Sequence, residues 1–411
     1  MSTSFSQMGE LITKNPAFRR IWIAHIISLL GDWMSYIAVS LITLRREDSA
    51  VALALVFIAH ALPTAVMSPL SGPLSDRYNR RYIMVLSYSA AAILTFAMWG
   101  VSSGSVWLIQ GILFMRVCVG AVGTTARSAA IPQLVGRDQL HSANALLGLT
   151  WSLTFATGLA IGGVVASLIG PSGAILLDAC TFVLAAVIYM GLPNLKPGEQ
   201  KSVPKVGIRD LLAAWHFVRS QKRLTVIALS KIPPMIANSG GWLLINLVAV
   251  ARLPALDAGL ALGVMHAVRA LGSGVGPLLP DKLLPRNTLS GPVLTFVGVA
   301  LFTWFDMPAL FMLGLFLWGA GSGHNWVVTT AKLQAFAPQT LIGRVTALDF
   351  SMLSISETII ILVAAMIMDK TGLPSLGVLC TLILAVVLWV LLVHAFKNSS
   401  PVDASKLTQT Q

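Results

Sequence analysis

Charged side chains are scarce in this sequence. Asp, Glu, Lys and Arg make up only 11% of its 411 residues, whereas 56% of the residues are hydrophobic and the mean hydropathy is +0.80. This composition excludes a soluble globular protein of this length and indicates a polytopic membrane protein. The long apolar runs also lack the alternation of polar and apolar residues that a membrane β-barrel requires, so we expect membrane-spanning helices.

Residue sets for cofactor binding and catalysis are missing as well. The sequence has no phosphate-binding loop, no clustered metal ligands and no set of nucleophile and base. We therefore predict neither ATP hydrolysis nor another enzymatic activity, and neither a metal nor another cofactor. Its three cysteines, Cys118, Cys180 and Cys380, fall within apolar runs and are interpreted as small hydrophobic residues rather than as a disulfide framework.

A cleavable leader and a nucleic-acid partner are not expected either. Residues 1–20 are polar, and the long apolar run after them is followed by no small-residue cleavage site, so it is interpreted as the first membrane-spanning helix. The formal net charge is +12, but the basic residues do not cluster with aromatic residues on a soluble domain.

Apolar runs bounded by charged or turn residues predict twelve membrane-spanning helices. They lie near 21–44, 51–71, 82–101, 106–127, 141–168, 173–193, 224–250, 257–279, 289–305, 309–331, 345–368 and 374–396. An even number of spans places both termini on one side of the membrane. That side carries 21 of the 28 Lys and Arg residues, and the opposite side carries only four, so the positive-inside rule predicts cytoplasmic termini.

A polar stretch near 194–223 divides the predicted spans into two groups of six. It is interpreted as a cytoplasmic linker between an N-terminal six-helix bundle, 1–193, and a C-terminal six-helix bundle, 224–411. Within the linker, residues 208–219 carry apolar side chains at helical spacing with charges on the opposite face. This pattern predicts an amphipathic helix that lies on the membrane surface.

Short sequence matches indicate that the two halves are related. The tripeptide Gly-Pro-Leu closes the second span at 72–74 and the eighth at 276–278, an offset of 204 residues. A Pro-Gln pair with a Gly-Arg pair behind it follows the fourth span at 132–137 and the tenth at 338–344, an offset of 206 to 207 residues. Two matches at nearly one offset predict a duplicated helical bundle, and transporters of that architecture place their substrate site between the halves.

The segment 72–81, GPLSDRYNRR, places charges between the second and third spans. We expect a tight turn at the cytoplasmic surface, with Asp76 beginning a helix near the positive N-terminal end of a neighbouring helix. Arg77, Arg80 and Arg81 offer donors to carboxylates and helix C termini, so the segment can latch the two bundles together at this face and favour an outward-open state. The alternative is a basic loop that only fixes the orientation of the chain in the membrane.

This segment resembles the signature between the second and third helices of the major facilitator superfamily. The matching residues are Gly72, Leu74, Asp76, Arg77, Arg80 and Arg81. Asn79 stands where glycine is usual, which is a mild departure because asparagine tolerates the left-handed conformation. A second copy of the signature, around Asp281, Lys282 and Arg286, is degenerate, so a latch would be asymmetric.

Other motifs are similar to those of the same superfamily. Arg116 and the glycines after it in the fourth span resemble its proton-linked motif, whereas the fifth span keeps small residues but lacks the Gly-Pro of its antiporter motif. Residues 15–19, 177–182 and 343–345 resemble the branch that contains the enterobactin exporter and macrolide efflux pumps. The resemblance covers nearly the whole chain and implies an all-α fold of twelve transmembrane helices in two pseudo-symmetric six-helix bundles.

Charges within predicted spans are costly and are treated as functional candidates. Asp32 and Arg116 lie about eleven or twelve residues into the first and fourth spans, near the membrane midplane, and these helices are neighbours in the resembled fold. Burial disfavours a carboxylate and a neighbouring guanidinium favours it, so movement of Arg116 or entry of water would switch the protonation of Asp32. We therefore assign Asp32 as a proton carrier and Arg116 as its modulator; the alternative is a static buried ion pair.

The predicted C-terminal half carries in-span charges of its own. In the resembled branch an acid is common at the place of Glu357, a second protonation candidate that can pair with Arg269. Lys231, the two prolines after it and the segment 238–242 predict a broken helix with backbone exposed to a cavity. The candidate substrate-binding residues are Lys231, Trp242, His266, Arg269, His324 and Trp326. A buried structural role is an equal alternative for the histidines, and Asp178, in an outer helix of the resembled fold, is interpreted as structural.

These features together predict a proton-coupled secondary transporter that works by alternating access. Proton coupling is assigned to Asp32, Arg116 and Glu357, and the gate to Gly72, Asp76, Arg77, Arg80 and Arg81. The in-span cations favour an anionic or amphipathic small molecule such as a siderophore, and the resemblance implies that it is exported. The alternatives are a multidrug or macrolide efflux pump and a lipid or lysolipid flippase. We expect a bacterial inner-membrane location, the substrate, protons and bilayer lipid as partners, and function as a monomer.

Overall fold

The computed structural model describes residues 2–136, 139–196, 215–220, 222–336 and 342–398, and its regular elements there are helices. The helices of the first half are α1 Ser2–Lys14, α2 Pro16–Arg46, α3 Ala50–Arg77, α4 Arg80–Gly100, α5 Val106–Leu134 and α6 Leu140–Met190. Those of the second half are α7 Lys222–Leu229, α8 Ile232–Arg252, α9 Ala258–Val275, α10 Ser290–Trp304, α11 Pro308–Phe336, α12 Ile342–Thr371 and α13 Pro374–Lys397. A 3₁₀ turn, Gly276–Leu278, follows α9.

The helices are long and apolar enough to supply the predicted membrane spans. Among the described residues, nine helical segments have the length and hydropathy of a span, and one of these, Lys222–Arg252, joins α7 and α8. The 51 residues of α6 suffice for two crossings at about 1.5 Å per residue. The 15-residue helix α10 and the 29-residue helix α11 supply the remaining two spans. The prediction of twelve helical spans is confirmed, and the protein is a multi-pass membrane protein.

A kink divides α6 into the fifth and sixth spans. Gly170 has φ 76° and ψ 164°, a backbone conformation that glycine adopts far more readily than other residues. Pro171 follows, and it has no N–H to donate to the preceding turn. The two residues together break the hydrogen-bond ladder between the predicted spans 141–168 and 173–193.

The charged segment 72–81 is mostly helical rather than a ten-residue turn. α3 continues to Arg77 and α4 begins at Arg80, so Asp76 lies in the last turn of a helix and the prediction that it begins one is wrong. Asn79 has φ −61° and ψ 118°, and its side chain accepts a hydrogen bond from the backbone N–H of Arg81. Asn79, which stands where the signature usually has glycine, is therefore a helix N-cap and does not adopt the left-handed conformation. Hydropathy marks where the membrane ends, whereas a helix can continue into water.

Helix α1 has no counterpart among the predicted elements. Its residue Leu11 is buried against Phe18 of α2, Ile131 of α5 and Ala143 of α6. Asn15 caps the start of α2 by accepting from the N–H of Phe18 at 2.9 Å. The polar N-terminal segment is thus anchored by one apolar stripe, although its composition shows no membrane span.

The chain forms two compact units. Unit 1 comprises Met1–Asp48, Leu55–Lys205 and Pro254–Ala267, and unit 2 comprises Ser49–Ala54, Val206–Leu253 and Val268–Gln411. The core of unit 1 joins α2, α4, α5 and α6 around Met84, Tyr88 and Phe182. A core cluster of unit 2 joins α7, α11 and α12 through Leu224, Leu333 and Val345.

The predicted domain boundaries, 1–193 and 224–411, stay a prediction. Residues 197–214 and 221 of the predicted linker lie outside the described ranges, as do residues 137 and 338–341 of the repeated motif. Most of the predicted amphipathic helix 208–219 is outside as well, and its described part is helical.

Glycines on α6 allow it to approach α2 closely. A Cβ atom added to Gly158 would lie 2.9 Å from Cβ of Trp33, and one added to Gly162 would lie 2.9 Å from Cα of Met34. Small residues of the fifth span therefore fix the position of the segment of α2 that carries Asp32.

Candidate functional site

A buried guanidinium lies between two carboxylates in unit 1. Arg116 of α5 is 2% exposed; its Nη1 donates to Oδ1 of Asp32 on α2 and lies 3.7 Å from Oδ2 of Asp178 on α6. The guanidinium carbon also lies 5.2 Å from the centre of the Phe182 ring. The structure brings the predicted pair of Asp32 and Arg116 together and adds a second carboxylate. We call Asp32, Arg116 and Asp178 the triad.

The position of Asp178 within the triad was not predicted. Its side chain is fully buried, and it accepts hydrogen bonds from the hydroxyl groups of Ser35 and Thr181. Sequence alone predicts how deep a residue lies within its span. It does not predict which face of α6 meets α5. The signal that pointed to this residue was an aspartate inside an apolar run, which is costly unless it is paired.

A cavity of about 150 Å³ borders the triad. Its lining includes Asp32, His60, Tyr88, Arg116, Gly120 and Phe182. The side chain of Asp32 is 26% exposed, whereas Arg116 and Asp178 are buried. One carboxylate of the triad therefore reaches open space and the other does not. His60, which the sequence did not single out, adds an imidazole 5.2 Å from the ring of Trp33.

His266 lies in the part of α9 that belongs to unit 1. It is fully buried, and its ring centre is 6.0 Å from that of Tyr36 on α2. Tyr36 lies one helical turn after Asp32 and also packs against His60. The predicted role of His266 in substrate binding stays a prediction.

Lys231 forms a buried ion pair in unit 2. It donates to Asp349 of α12 and, at 2.9 Å, to the hydroxyl of Thr330 on α11, and its Nζ lies 4.6 Å from the Trp326 ring. The predicted helix break is present, because Lys231 lies in the turn between α7 and α8. The break is shorter than expected: the segment 238–242 is helical, since both prolines occupy the first turn of α8, where proline is tolerated.

Arg269 and Glu357 are linked through Asn238. The amide nitrogen of Asn238 donates to Oε1 of Glu357 at 3.1 Å, and its oxygen accepts from Nη1 of Arg269 at 3.4 Å. The Arg269 guanidinium also lies 4.2 Å and 5.1 Å from the ring centres of Trp242 and Trp318. The expected pair is thus joined by an amide bridge, and aromatic rings cover the cation.

The remaining candidates lie in more varied surroundings. His324 is buried, and its Nε2 is 3.1 Å from the carbonyl oxygen of Pro285. Trp326 is 42% exposed, so its ring has free surface beside Lys231. Cys118, Cys180 and Cys380 are free thiols.

The segment 79–81 contacts the end of α6. Arg81 donates to the carbonyl oxygen of Met190, and Asn79 accepts from the N–H of Leu195 at 3.2 Å. Asp76 lies 4.0 Å from Arg80, and its side chain is 53% exposed. These contacts lie within unit 1, and the assignment of Gly72, Asp76, Arg77, Arg80 and Arg81 as a latch stays a prediction.

Two carboxylates that the sequence reasoning did not consider cap helix N termini. Asp369 accepts from the hydroxyl of Ser49 at 2.7 Å and from the backbone N–H groups of Ala50 and Val51 at the start of α3. Asp257 accepts from the N–H of Gly259 at 2.7 Å at the start of α9 and from the hydroxyl of Ser167. Both use the positive end of a helix to stabilise a carboxylate.

The sequence matches a known family over most of its length. The family described as Major Facilitator Superfamily matches residues 21–359. The chain belongs to the Major Facilitator Superfamily. It is therefore a multi-pass membrane protein of a transporter superfamily.

Relatives within the superfamily include enterobactin exporters. The chain is 25% identical over 357 residues to the enterobactin exporter EntS of Citrobacter koseri and of Shigella dysenteriae, with 82% of each chain covered. The same identity and coverage hold for EntS of Escherichia coli.

Solved structures of the superfamily have the same fold. The nucleoside transporter NupG matches with a TM-score of 0.71 and 12% identity, covering 92% of this chain and 100% of NupG. A bacterial homolog of the human lysosomal transporter Spinster matches with a TM-score of 0.71 and 14% identity, covering 94% and 98% of the two chains. These similarities show the fold, and the charged clusters described above lie within it.

Proposed function

We propose that this protein is a proton-coupled secondary exporter of an anionic or amphipathic small molecule, such as a siderophore, that works by alternating access. We place it in a bacterial inner membrane, with both termini in the cytoplasm. The similarity to the enterobactin exporter EntS supports the direction and the kind of cargo. The distribution of Lys and Arg supports the orientation.

The triad is the observation that carries the proton coupling. One guanidinium and two carboxylates have a net charge of −1 when all three are ionised, and one added proton makes the group neutral. A static ion pair needs neither the second carboxylate nor an exposed one, yet Asp32 is 26% exposed beside a cavity. An ionisable residue within a membrane span that faces a cavity is suited to carry protons.

Glu357 is proposed as the second protonation site. It is buried, and the Asn238 side chain connects it to Arg269. A change of charge on Glu357 therefore acts on Arg269 through a hydrogen-bonded chain. This arrangement supports a link between protonation and the cation that we assign to the substrate.

The cations of unit 2 support an anionic or amphipathic cargo. Arg269, covered by the rings of Trp242 and Trp318, combines positive charge with apolar surface. Lys231 is neutralised by Asp349, so we assign it a smaller part in charge recognition than the sequence alone suggested. The exposed ring of Trp326 beside Lys231 offers a surface for stacking an aromatic group.

Uptake into proteoliposomes under an imposed pH gradient tests this function. We expect a radiolabelled catecholate siderophore to accumulate against its concentration gradient in vesicles whose interior is acidic, and a protonophore to abolish the accumulation. A cationic macrolide measured in parallel separates the two cargo classes. Accumulation of the macrolide alone would replace the siderophore with a drug, and accumulation that persists with the protonophore would contradict proton coupling.

A further inference from the structure

We propose that Asp178 is the standing counterion of Arg116, and that this role allows Asp32 to bind and release a proton. The inference rests on the proposed proton coupling and deepens it. Asp178 is a positioning residue here: it keeps its negative charge throughout, and the proton moves on and off Asp32.

The two carboxylates of the triad differ in their surroundings. Asp178 is fully buried, and hydroxyl groups of Ser35 and Thr181 donate to it. Burial disfavours the charged form of Asp178, whereas the Arg116 guanidinium at 3.7 Å and these two donors favour it. Asp32 instead borders the cavity of about 150 Å³, so a proton that arrives through water meets Asp32 first.

The charges of the triad explain why two acids are needed. If Arg116 had Asp32 as its sole carboxylate, protonation of Asp32 would leave a buried guanidinium without a counterion, which is strongly unfavourable. With Asp178 at 3.7 Å, protonation of Asp32 leaves a neutral pair of Arg116 and Asp178. Asp32 can therefore change its charge without leaving Arg116 uncompensated.

The backbone of α2 leaves room for the carboxylate of Asp178. A Cβ atom added to Gly31 would collide with the carboxylate oxygen of Asp178 and would lie 3.2 Å from Cβ of Thr181. The glycine directly before Asp32 thus lets the second acid approach from α6. On α2, Gly31 makes room for Asp178, and the next residue is Asp32 itself.

Titratable groups from five helices face this site. They are Asp32 on α2, His60 on α3, Tyr88 on α4, Arg116 on α5 and Asp178 on α6. His60 is the group among them whose ordinary titration range overlaps neutral pH. A test that follows protonation must therefore separate the carboxyl groups from this imidazole.

Infrared spectroscopy of the purified protein makes that separation and does not depend on transport. The absorption of a protonated carboxyl group that disappears in Asp32→Asn reports Asp32, and its growth as the pH falls gives the midpoint of protonation. In Asp178→Asn we expect this midpoint to move to lower pH by about one unit or more, because Asp32 becomes the sole carboxylate partner of Arg116. His60→Gln is the matched control and should leave the carboxyl signal in place.

Asparagine imitates a protonated aspartate, so Asp178→Asn distinguishes a charged Asp178 from a neutral one. An unchanged midpoint in Asp178→Asn would show that Asp178 is neutral or merely structural, and would overturn the proposal. Asp32→Asn serves if Asp178→Asn does not fold. Asp178 should stay ionised in this variant, so adding Ser35→Ala should leave the remaining protonated-carboxyl absorption unchanged. An absorption that shifts when Ser35 is replaced would show a protonated Asp178 and would overturn the proposal. Failure of proton-driven uptake in the wild type, with the midpoint shifts present, would reject the proposed function alone.

Discussion

At the scale of single residues, the buried charges in the described spans have polar partners. Arg116 contacts two carboxylates, Lys231 contacts Asp349, and Arg269 contacts Asn238. Taking a charge out of water is costly, and a partner at hydrogen-bond distance offsets much of that cost. Each group therefore ties a charge to a helix–helix contact, and a change in one side chain alters the packing of several helices.

The aromatic cover of Arg269 leads to a prediction about the substrate. Arg269→Lys keeps the positive charge but loses the planar group between Trp242 and Trp318 and the contact with Asn238. We expect siderophore binding to weaken roughly tenfold, measured by titration calorimetry in detergent. Arg286→Lys, at an exposed arginine paired with Asp281, is the matched control and should bind as the wild type does. Equal affinity in the two variants would remove Arg269 from the substrate site.

The residues themselves were more predictable than their contacts. An in-span charged residue stands out because its burial is costly, and this identified Asp32, Arg116, Lys231, Arg269 and Glu357. The side chains between them did not stand out. Asn238 and Ser35 are ordinary residues in an apolar run, and their role follows from which helix faces meet, which no single sequence reveals.

At the scale of elements, membrane spans were easier to predict than helix ends. Hydropathy located all twelve spans, but it ended the second span near residue 71, whereas α3 continues to Arg77. It also showed no helix in the polar N-terminal segment, where α1 is anchored by Leu11. Spans depend on transfer from water to lipid, while helix ends depend on caps such as Asn79 and on contacts with other helices.

The contact between α2 and α6 leads to a prediction about stability. Gly158→Ala places a methyl group 2.9 Å from Cβ of Trp33, so the helices must separate or Trp33 must move. We expect a loss of about 1–3 kcal/mol, measured as a lower Tm in detergent, and reduced transport because Asp32 follows Trp33.

Gly148→Ala on the same helix is the matched control. A Cβ atom there meets no other atom within 4 Å, so the variant should unfold at the wild-type temperature or slightly above it, since alanine favours helix over glycine. If both variants lower the Tm equally, the close approach of α6 to Trp33 does not control the position of α2.

At the scale of the whole molecule, the fold places few limits on the cargo. NupG is a nucleoside transporter and EntS an enterobactin exporter, and this chain resembles both, the first in fold and the second in sequence. One fold hosts many functions, so the substrate must be argued from the side chains of the site. In the proposed site these are a covered cation, Arg269, and exposed aromatic surface such as Trp326.

We propose that protons drive export through the triad. The most direct measurement is proton movement in proteoliposomes that contain a pH-sensitive dye, started by a gradient of catecholate siderophore. We expect the wild type to move protons opposite to the siderophore, and Asp32→Asn to bind the siderophore without moving protons. Asp306→Asn, at a carboxylate that is 90% exposed, is the control and should move protons as the wild type does. Wild-type proton movement in Asp32→Asn would show that Asp32 does not carry the proton.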